Sequence, residues 1–216
     1  MRAEDVYARR FPDPEVRQKD RIWREITRWL SRYVPGNAVV LDLACDRGYF
    51  IRHVIARERW ATDLRDVSAD LGDGIRFVRS DGLRLREALP AASFDVVFTS
   101  NYLEHLAGPD AVVEQLTVVR DLLRPGGTAI VLQPNVALVG GAYWDFIDHR
   151  VALTDRSLVE AAELAGLRTR QVIRRFLPYS TKGRLPAYPA LVRAYLALPP
   201  AWLLLGKQTL YVGERP

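Results

Sequence analysis

Residues 38–48 of this 216-residue chain read Ala38-Val39-Val40-Leu41-Asp42-Leu43-Ala44-Cys45-Asp46-Arg47-Gly48. The first seven are almost continuously apolar, which is typical of a strand buried on both faces of a parallel sheet. Similar short segments lie at 59–63, 75–79, 94–99 and 128–133. Two more candidate strands follow at 168–176 and 209–214. The sequence therefore predicts a sheet of seven strands.

Helical patterns separate these strands. Residues 15–34 carry apolar side chains at helical spacing until Pro35-Gly36 ends the pattern, at Ile22, Ile26, Trp29, Leu30 and Tyr33. We predict further helices over 48–57, over 109–124 with Pro125-Gly126-Gly127 ending it, and over 154–165 with Gly166 past its end. The alternation predicts an α/β fold, a doubly wound, mostly parallel, Rossmann-like sheet with helices on both faces.

The chain is long enough for one domain, which we predict to span 1–216. Within it, 1–35 forms an N-terminal helical cap, 36–135 the core, and 136–216 a second half with a helical flap over 177–206. The apolar part of the flap, 191–206, contains Arg193 and Pro199-Pro200. It is too short and too interrupted to span a bilayer, which needs about 20 apolar residues. Cover over a pocket, peripheral membrane contact and a homodimer interface shared with Trp23 and Trp29 stay open.

Composition narrows the class of protein. Hydrophobic residues make up 49% and charged residues 26% of the chain, which argues against general disorder. The first ten residues lack the apolar stretch of a signal peptide, and Cys45 is the single cysteine, so we expect a cytoplasmic protein without an intrachain disulfide.

Charge is distributed unevenly along the chain. The net charge is +5, but the segment after Gly166 carries +8 and the rest carries −3. A basic final quarter suits an anionic substrate, a membrane surface or nucleic acid, and a plain solvated surface is the alternative.

Polar residues follow the predicted strands at their carboxyl ends, where open parallel sheets bind ligands. Asp42, Asp63 and Asp81 end or follow the first three strands, and Thr99-Ser100-Asn101 ends the fourth. An acid after the second strand can accept both hydrogen bonds of a ribose diol, and one after the third can accept from an adenine amino group. Neither G-x-G-x-x-G nor a Walker lysine motif is present, which disfavours dinucleotides and nucleoside triphosphates. A phosphate-free adenosine compound fits better.

Five motifs in this order resemble class I S-adenosylmethionine-dependent methyltransferases. They are residues 40–50, Asp63, Asp81, residues 93–106 and residues 123–127. The resemblance implies that S-adenosylmethionine is the cofactor and S-adenosylhomocysteine the product. It implies that the loop at 44–48 holds the amino-acid end, Asp63 the ribose and Asp81 the adenine. Our candidate cofactor-binding residues are Asp42, Ala44, Cys45, Asp46, Gly48, Asp63, Leu64, Asp81, Gly82, Ser100, Asn101 and Tyr102.

The loop departs from the family pattern D-x-G-x-G-x-G, because only Gly48 of the three glycines is kept. Ala44 is a mild change if its backbone angles are ordinary. Asp46 replaces a glycine that permits positive φ, although aspartate tolerates the left-handed region better than most residues. Loss of cofactor binding, leaving a non-catalytic binding or scaffold protein on this fold, is therefore one alternative.

The second half resembles a subgroup associated with polysaccharide or other sugar-containing products, over residues 143–154, 175–186 and 206–208. We predict methyl transfer to an O or N atom of a small, sugar-containing or natural-product acceptor. His105 and His149 are the candidate catalytic bases, and His105 has an alternative role in supporting the cofactor pocket. Candidate acceptor-binding residues are Tyr143, Trp144, Asp148, Tyr179, Lys182 and Arg184.

Two further expectations concern partners. No His, Cys or carboxylate cluster has metal-ligand spacing along the chain, so we expect no metal. An RNA or protein methyltransferase is the other enzymatic alternative. Nucleic acid is disfavoured because the basic tail lacks the aromatic interleaving of a single-strand platform.

Overall fold

The computed structural model describes residues 13–179 and 188–216. Its seven strands are β1 (Val39–Leu43), β2 (Glu58–Asp63), β3 (Ile75–Arg79), β4 (Phe94–Ser100), β5 (Leu123–Pro134), β6 (Arg168–Leu177) and β7 (Gln208–Glu214). They form one sheet in the order β3-β2-β1-β4-β5-β7-β6. The strands from β3 to β5 are parallel, and β7 runs antiparallel to both of its neighbours. The predicted mostly parallel, seven-stranded α/β sheet is confirmed.

In the described residues, eight helices connect and cover the strands. They are α1 (Asp13–Leu30), α2 (Ser68–Leu71), α3 (Leu85–Ala88), α4 (Pro109–Leu122), α5 (Val136–Val139), α6 (Asp155–Leu164), α7 (Pro189–Ala197) and α8 (Pro199–Leu205). Short 3-10 segments lie at Ser31–Tyr33, Gly82–Arg84, Leu103–His105 and Gly140–Asp145. α6 begins with a capping box, in which the Thr154 side chain accepts from the Ser157 amide and Ser157 Oγ accepts from the Thr154 amide. None of the described helices is long and apolar enough to cross a membrane.

The sheet buries both of its faces, which explains the continuous apolar run of β1. Val39, Leu41 and Leu43 join one core cluster, together with α4 and α6. Val40 joins the other, together with α1. Alternate side chains of a strand point to opposite faces, so a strand between two helix layers must be apolar at nearly every position.

The flap is helical in its described part. α7 packs against α1, and α8 packs against β6. The Arg193 guanidinium of α7 donates to both carboxylate oxygens of Glu25 on α1, each at 2.9 Å. Trp29 of α1 packs against Trp202 of α8 with ring centroids 5.5 Å apart. The flap therefore covers α1 and β6, and Trp29 packs within the protein.

Two predicted elements differ in the structure. Residues 48–57 do not form a helix but turns, with two i to i−4 hydrogen bonds, Arg52 N to Gly48 O and Val54 N to Phe50 O. The side chains at 49–51 are all buried, and three consecutive residues cannot share one face of a regular helix.

The boundary between α4 and β5 lies earlier than predicted. α4 ends at Leu122, and β5 begins at Leu123 instead of at residue 128. The Pro125-Gly126-Gly127 segment forms an irregularity within this strand, because Gly126 N donates to Arg215 O and Arg215 N donates to Gly127 O. The two glycines thus pair with the end of the chain instead of closing a helix.

Candidate active site

The carboxyl ends of β1, β2 and β3 lie side by side and gather the predicted acidic residues. Cys45 N donates to Thr62 O at 2.9 Å, and Ser80 N donates to Asp63 O at 3.0 Å. Asp46 N donates to Asp63 Oδ2 at 3.0 Å. Asp63 is thereby fixed between the loop after β1 and the loop after β3, where the sequence places the cofactor.

The loop at 44–48 keeps the positive φ values of a glycine-rich turn with only one of the three glycines, Gly48. Ala44, Asp46 and Gly48 have φ values of 56°, 51° and 69°. The expectation that Asp46 tolerates the left-handed region is confirmed. Ala44 does not have ordinary backbone angles, so its replacement of glycine costs more than expected. A side chain at Gly48 would be strained at this positive φ and would have to displace the end of the Leu71 side chain.

Arg65 is a site residue that sequence reasoning missed. Its amide and its Nε donate to Asp63 Oδ1 at 2.9 and 3.1 Å, and its Nη2 donates to Asp63 Oδ2 at 3.2 Å. The same Nη2 donates to Asp46 Oδ1 at 2.9 Å. Together with the amide of Asp46, Asp63 accepts four hydrogen bonds, which is close to the full capacity of a carboxylate.

The charge of Asp46 is balanced within the protein. Arg65 Nη2 contacts one of its oxygens, and Lys19 Nζ lies 3.6 Å from the other. Lys19 also lies 4.5 Å from the centroid of the Tyr49 ring, and burial lowers its pKa while Asp46 opposes that shift. Desolvation lowers the pKa of Arg65, but its hydrogen bonds to Asp63 and Asp46 outweigh this and raise it overall. Asp46 therefore belongs to a closed network of two acids and two bases.

Asp42 and Cys45 line the interior side of this loop. Both are buried, and burial raises the pKa of the Asp42 carboxyl well above its usual range. Burial also raises the pKa of the Cys45 thiol, with the nearby carboxylates adding to the effect. Both groups therefore favour their neutral forms.

The side expected to face adenine is built around Gly82. Asp81 is exposed, and its Oδ1 accepts from Leu83 N at 3.0 Å. Gln115 Nε2 donates to Gly82 O at 3.2 Å, and Tyr102 Oη donates to Gln115 Oε1 at 2.9 Å. A Cβ atom on Gly82 would collide with Tyr102 and Gln115. A side chain at residue 82 would therefore have to displace the ends of these two polar side chains.

The other candidates on this side differ in accessibility. Leu64 is 59% exposed next to Asp63. Ser100 ends β4, and Asn101 follows it in the left-handed region with φ of 49°, its amide donating to Leu132 O. Ser100, Asn101 and Tyr102 therefore lie at the carboxyl end of β4.

The acceptor side brings His105, Asp148 and His149 together across 43 residues of chain. His105 Nδ1 lies 3.1 Å from the backbone oxygen of Asp148 and 3.5 Å from its Oδ2. The rings of His105 and His149 have centroids 5.1 Å apart, and His149 packs further against Tyr143 and Phe146. The two candidate bases thus form one cluster.

Glu104 is a second residue that sequence reasoning missed. It is 1% exposed, and burial raises the pKa of its carboxyl. Its Oε2 accepts from Gln133 Nε2 at 2.9 Å, and its Oε1 lies 3.9 Å from His105 Nε2. Its backbone oxygen accepts from the amides of Arg150 and Val151. Glu104 therefore ties the end of β4 to the segment that carries His149.

The predicted acceptor-binding residues divide into three groups. Tyr143 is fully buried and its hydroxyl donates to Val151 O, so its ring packs in the interior and offers no surface to an acceptor. Trp144 is 53% exposed, and Tyr179 lies near Phe146 with ring centroids 6.1 Å apart. Lys182 and Arg184 lie outside the described residues.

Comparison with known proteins assigns the family. A family model described as a methyltransferase domain matches residues 16–172. The tRNA U34 carboxymethyltransferase of Desulfotalea psychrophila is 30% identical over 127 residues, which cover 52% of this chain and 38% of that protein. The match thus spans well under half of that relative's length.

Solved structures share the fold. An S-adenosylmethionine-dependent methyltransferase from Mesorhizobium loti has a TM-score of 0.62 at 19% identity, covering 88% of this chain and 96% of that one. A complex of the Haloferax volcanii Trm112 methyltransferase activator with a methyltransferase gives 0.67 at 18% identity, covering 94% and 95%. The family model covers residues 16–172, which leads to one conclusion: this chain belongs to the methyltransferase-domain family.

Proposed function

We propose that this protein is a methyltransferase that transfers the methyl group of S-adenosylmethionine to an O or N atom of a small, sugar-containing acceptor. The acceptor would lie between the end of β4 and residues 143–149. The observation that carries the proposal is the cluster of His105, Asp148 and His149, which lies after the strand next to the cofactor side. The segment 136–216 supplies the acceptor side in this proposal, and 36–135 the cofactor side.

The residues at the ends of β1 to β3 fit the cofactor, with one adjustment. The loop at 44–48 has the positive φ values that bring backbone amides close to a ligand. Asp63 and Asp81 would hold the ribose and the adenine. The Asp63 carboxylate accepts four hydrogen bonds, which leave little capacity for a diol. Arg65 must therefore first release some of its hydrogen bonds to Asp63. When bound, S-adenosylmethionine supplies a methyl carbon that its cationic sulfur activates for displacement.

The protein then has to align the acceptor and take its proton. The Asp148 carbonyl can only accept, so it holds the Nδ1–H tautomer of His105 and leaves Nε2 as a proton acceptor. His149 is positioned by the rings of Tyr143 and Phe146. We propose that this pair contacts the acceptor, and that Trp144, Asp148 and Tyr179 contribute to its binding.

An RNA acceptor is the second candidate, and the similarity to a tRNA-modifying enzyme favours it. The basic residues of β6 speak for a small acceptor instead. Arg168 and Arg170 both pair with Glu214, and Arg174 pairs with Asp155. These arginines are therefore partly neutralised within the protein.

Calorimetric titration with S-adenosylmethionine and S-adenosylhomocysteine tests the cofactor site. We expect micromolar binding by the wild type and loss of binding in Asp63→Asn. Asp73→Asn, which changes an exposed aspartate in the loop after α2, should bind like the wild type. Absence of binding by the wild type would support the non-catalytic scaffold alternative.

Transfer of a labelled methyl group tests the acceptor class. We expect incorporation into a panel of free glycans and glycosylated small molecules, reduced in His149→Ala, and none into bulk tRNA. Incorporation into tRNA alone would replace the proposal by the RNA candidate.

A further inference from the structure

The acceptor side contains a set of metal-ligating atoms. Glu104, His105 and His149 each offer one such atom, and these atoms all lie within 4.8 Å of one another. Two imidazoles and a carboxylate suit Zn²⁺, Mn²⁺, Fe²⁺ or Co²⁺. We propose that Glu104, His105 and His149 bind a divalent transition-metal ion beside the acceptor.

The distances allow such a site after small side-chain movements. Metal–ligand bonds of about 2.1 Å place the ligand atoms of a tetrahedral site about 3.4 Å apart. His105 Nε2 and Glu104 Oε1 are already 3.9 Å apart. The neighbouring His149 ring has its centroid 5.1 Å from that of His105. Both imidazoles are partly exposed, so neither ring is enclosed on all sides by the protein.

The orientation of His105 is the second observation that points to a cation. Its Nδ1 must donate to the Asp148 carbonyl oxygen, which cannot donate in return. In the neutral ring, the lone pair of Nε2 then lies next to a carboxylate oxygen of Glu104. Two acceptors in this position favour a cation between them. A histidine that donates its other ring N–H to a carbonyl or carboxylate is the usual arrangement of a metal ligand.

Hydrogen bonds from neighbouring segments hold the proposed ligand Glu104 in place. The Glu104 backbone oxygen accepts from the amides of Arg150 and Val151, which fixes the segment after His149 against the end of β4. Glu104 Oε2 accepts from Gln133 Nε2 on β5. These contacts reduce the ordering that binding would require.

Charge also favours a cation here. Glu104 is 1% exposed, and a buried carboxylate is costly unless it is paired. The Asp148 carboxylate lies close by, with Oδ2 at 3.5 Å from His105 Nδ1. A divalent ion would compensate both acids.

Three protein ligands leave coordination positions open. Resting on the proposed function, the ion would bind an acceptor oxygen there and lower the pKa of its hydroxyl, whose proton would pass to solvent. In the metal-bound enzyme the ion would thus replace His105 Nε2 as the group that activates the acceptor, because Nε2 would be a ligand. The preferred acceptor would carry a second oxygen close enough to chelate, as in the vicinal diol of a sugar. This inference replaces the expectation of no metal, which considered spacing along the chain and could not foresee that 104–105 and 149 meet.

Titration of untagged, chelator-treated full-length protein with Co²⁺, followed by visible absorption, tests the site. We expect one Co²⁺ per chain at micromolar concentration, displaced by Zn²⁺. His105→Gln and His149→Gln should each weaken binding at least about ten-fold. His53→Gln is the matched control, since this histidine pairs with Asp20 at 2.9 Å on another side of the molecule. Circular dichroism checks that each variant is folded.

Each outcome has one meaning. Absence of Co²⁺ binding by the folded wild type, or equal binding by the His105→Gln/His149→Gln double variant, would overturn the site. Cofactor titration of the metal-free protein is a separate readout, so failure of the proposed methyl transfer and failure of the metal site remain distinguishable.

Discussion

Arg65 occupies most of the hydrogen-bonding capacity of Asp63, the carboxylate that we propose holds the ribose. It lies two residues after that carboxylate, and its amide and guanidinium supply three of the four hydrogen bonds that Asp63 accepts. A hydrogen bond to a charged group contributes about 1.5–3 kcal/mol, and part of this must be given up before a diol can bind.

We therefore expect Arg65→Ala to bind S-adenosylmethionine about ten-fold more tightly, which corresponds to about 1.4 kcal/mol. Calorimetry measures the change. Arg76→Ala is the matched control, because it removes an exposed arginine of β3 whose partner, Glu58, is 3.3 Å away at the surface. Weaker binding by Arg65→Ala would mean instead that Arg65 contacts the cofactor or positions Asp63 for it.

Single residues also show how far the sequence alone could reach. The left-handed backbone at Asp46 followed from the family pattern and from the tolerance of aspartate for positive φ. The ion pair of Asp46 with Arg65 could not be foreseen, since it joins residues 19 positions apart through the packing of β1 beside β2. The prediction that Tyr143 binds the acceptor was wrong for a similar reason. Its hydroxyl donates to the backbone oxygen of Val151, outside the 3-10 segment that contains Tyr143.

At the scale of elements, the tether between α1 and α7 is sensitive to pH. Glu25 is 5% exposed and accepts two hydrogen bonds from Arg193, which hold the pKa of its carboxyl below the ordinary value of 4.5. A depressed folded-state pKa stabilises the protein above 4.5, and this contribution is lost as the pH falls through the folded-state pKa.

We expect Glu25→Gln to lower the free energy of unfolding by about 1 kcal/mol at neutral pH, a modest value because Arg193 is largely exposed. The variant should lose less stability than the wild type on acidification below 4.5. Urea unfolding followed by tryptophan fluorescence measures both, since Trp29 of α1 packs against Trp202 of α8, the helix that follows α7.

The control for this tether is Glu87→Gln. Glu87 pairs with Arg84 at the surface and should have little effect at any pH. If both variants lose as much stability as the wild type when the pH is lowered, Glu25 does not control the docking of α7.

Elements were predictable where burial alone specifies them. β1 to β4 and α4 follow from apolar runs and helical spacing, because a sheet covered on both faces demands them. The turns at 48–57 were not predictable from the sequence pattern. Three consecutive side chains, at 49–51, are buried, whereas one face of a helix would bury residues three or four positions apart. The start of β5 depends on pairing with Arg215 at the far end of the chain.

At the scale of the whole molecule, the acceptor side depends on contacts that no local pattern encodes. His105 was a candidate because it follows β4, and His149 because it lies in an aromatic segment. The two histidines lie together because the amides of Arg150 and Val151 donate to the backbone oxygen of Glu104. These hydrogen bonds join segments that are more than 40 residues apart in the sequence. Motif order therefore predicts the grouping of polar residues at the ends of β1 to β3 better than the clustering of Glu104, His105 and His149.

The charge distribution leads to a prediction about RNA. The final quarter is strongly basic in sequence, yet Glu214 pairs with Arg168 and Arg170, and Asp155 pairs with Arg174. Paired arginines release fewer counterions on binding a phosphate backbone, so their contribution to RNA affinity is small.

We expect the wild type to show no saturable binding to bulk tRNA in the micromolar range at physiological salt. Glu214→Gln should strengthen RNA binding and steepen its dependence on salt, because it frees two arginines on β6. Glu87→Gln, which frees only Arg84 on another surface, is the matched control. Filter binding over a range of salt concentrations measures both quantities. Tight binding by the wild type with a steep salt dependence would mean that the basic surface already recognises RNA, and the small acceptor would give way to an RNA acceptor.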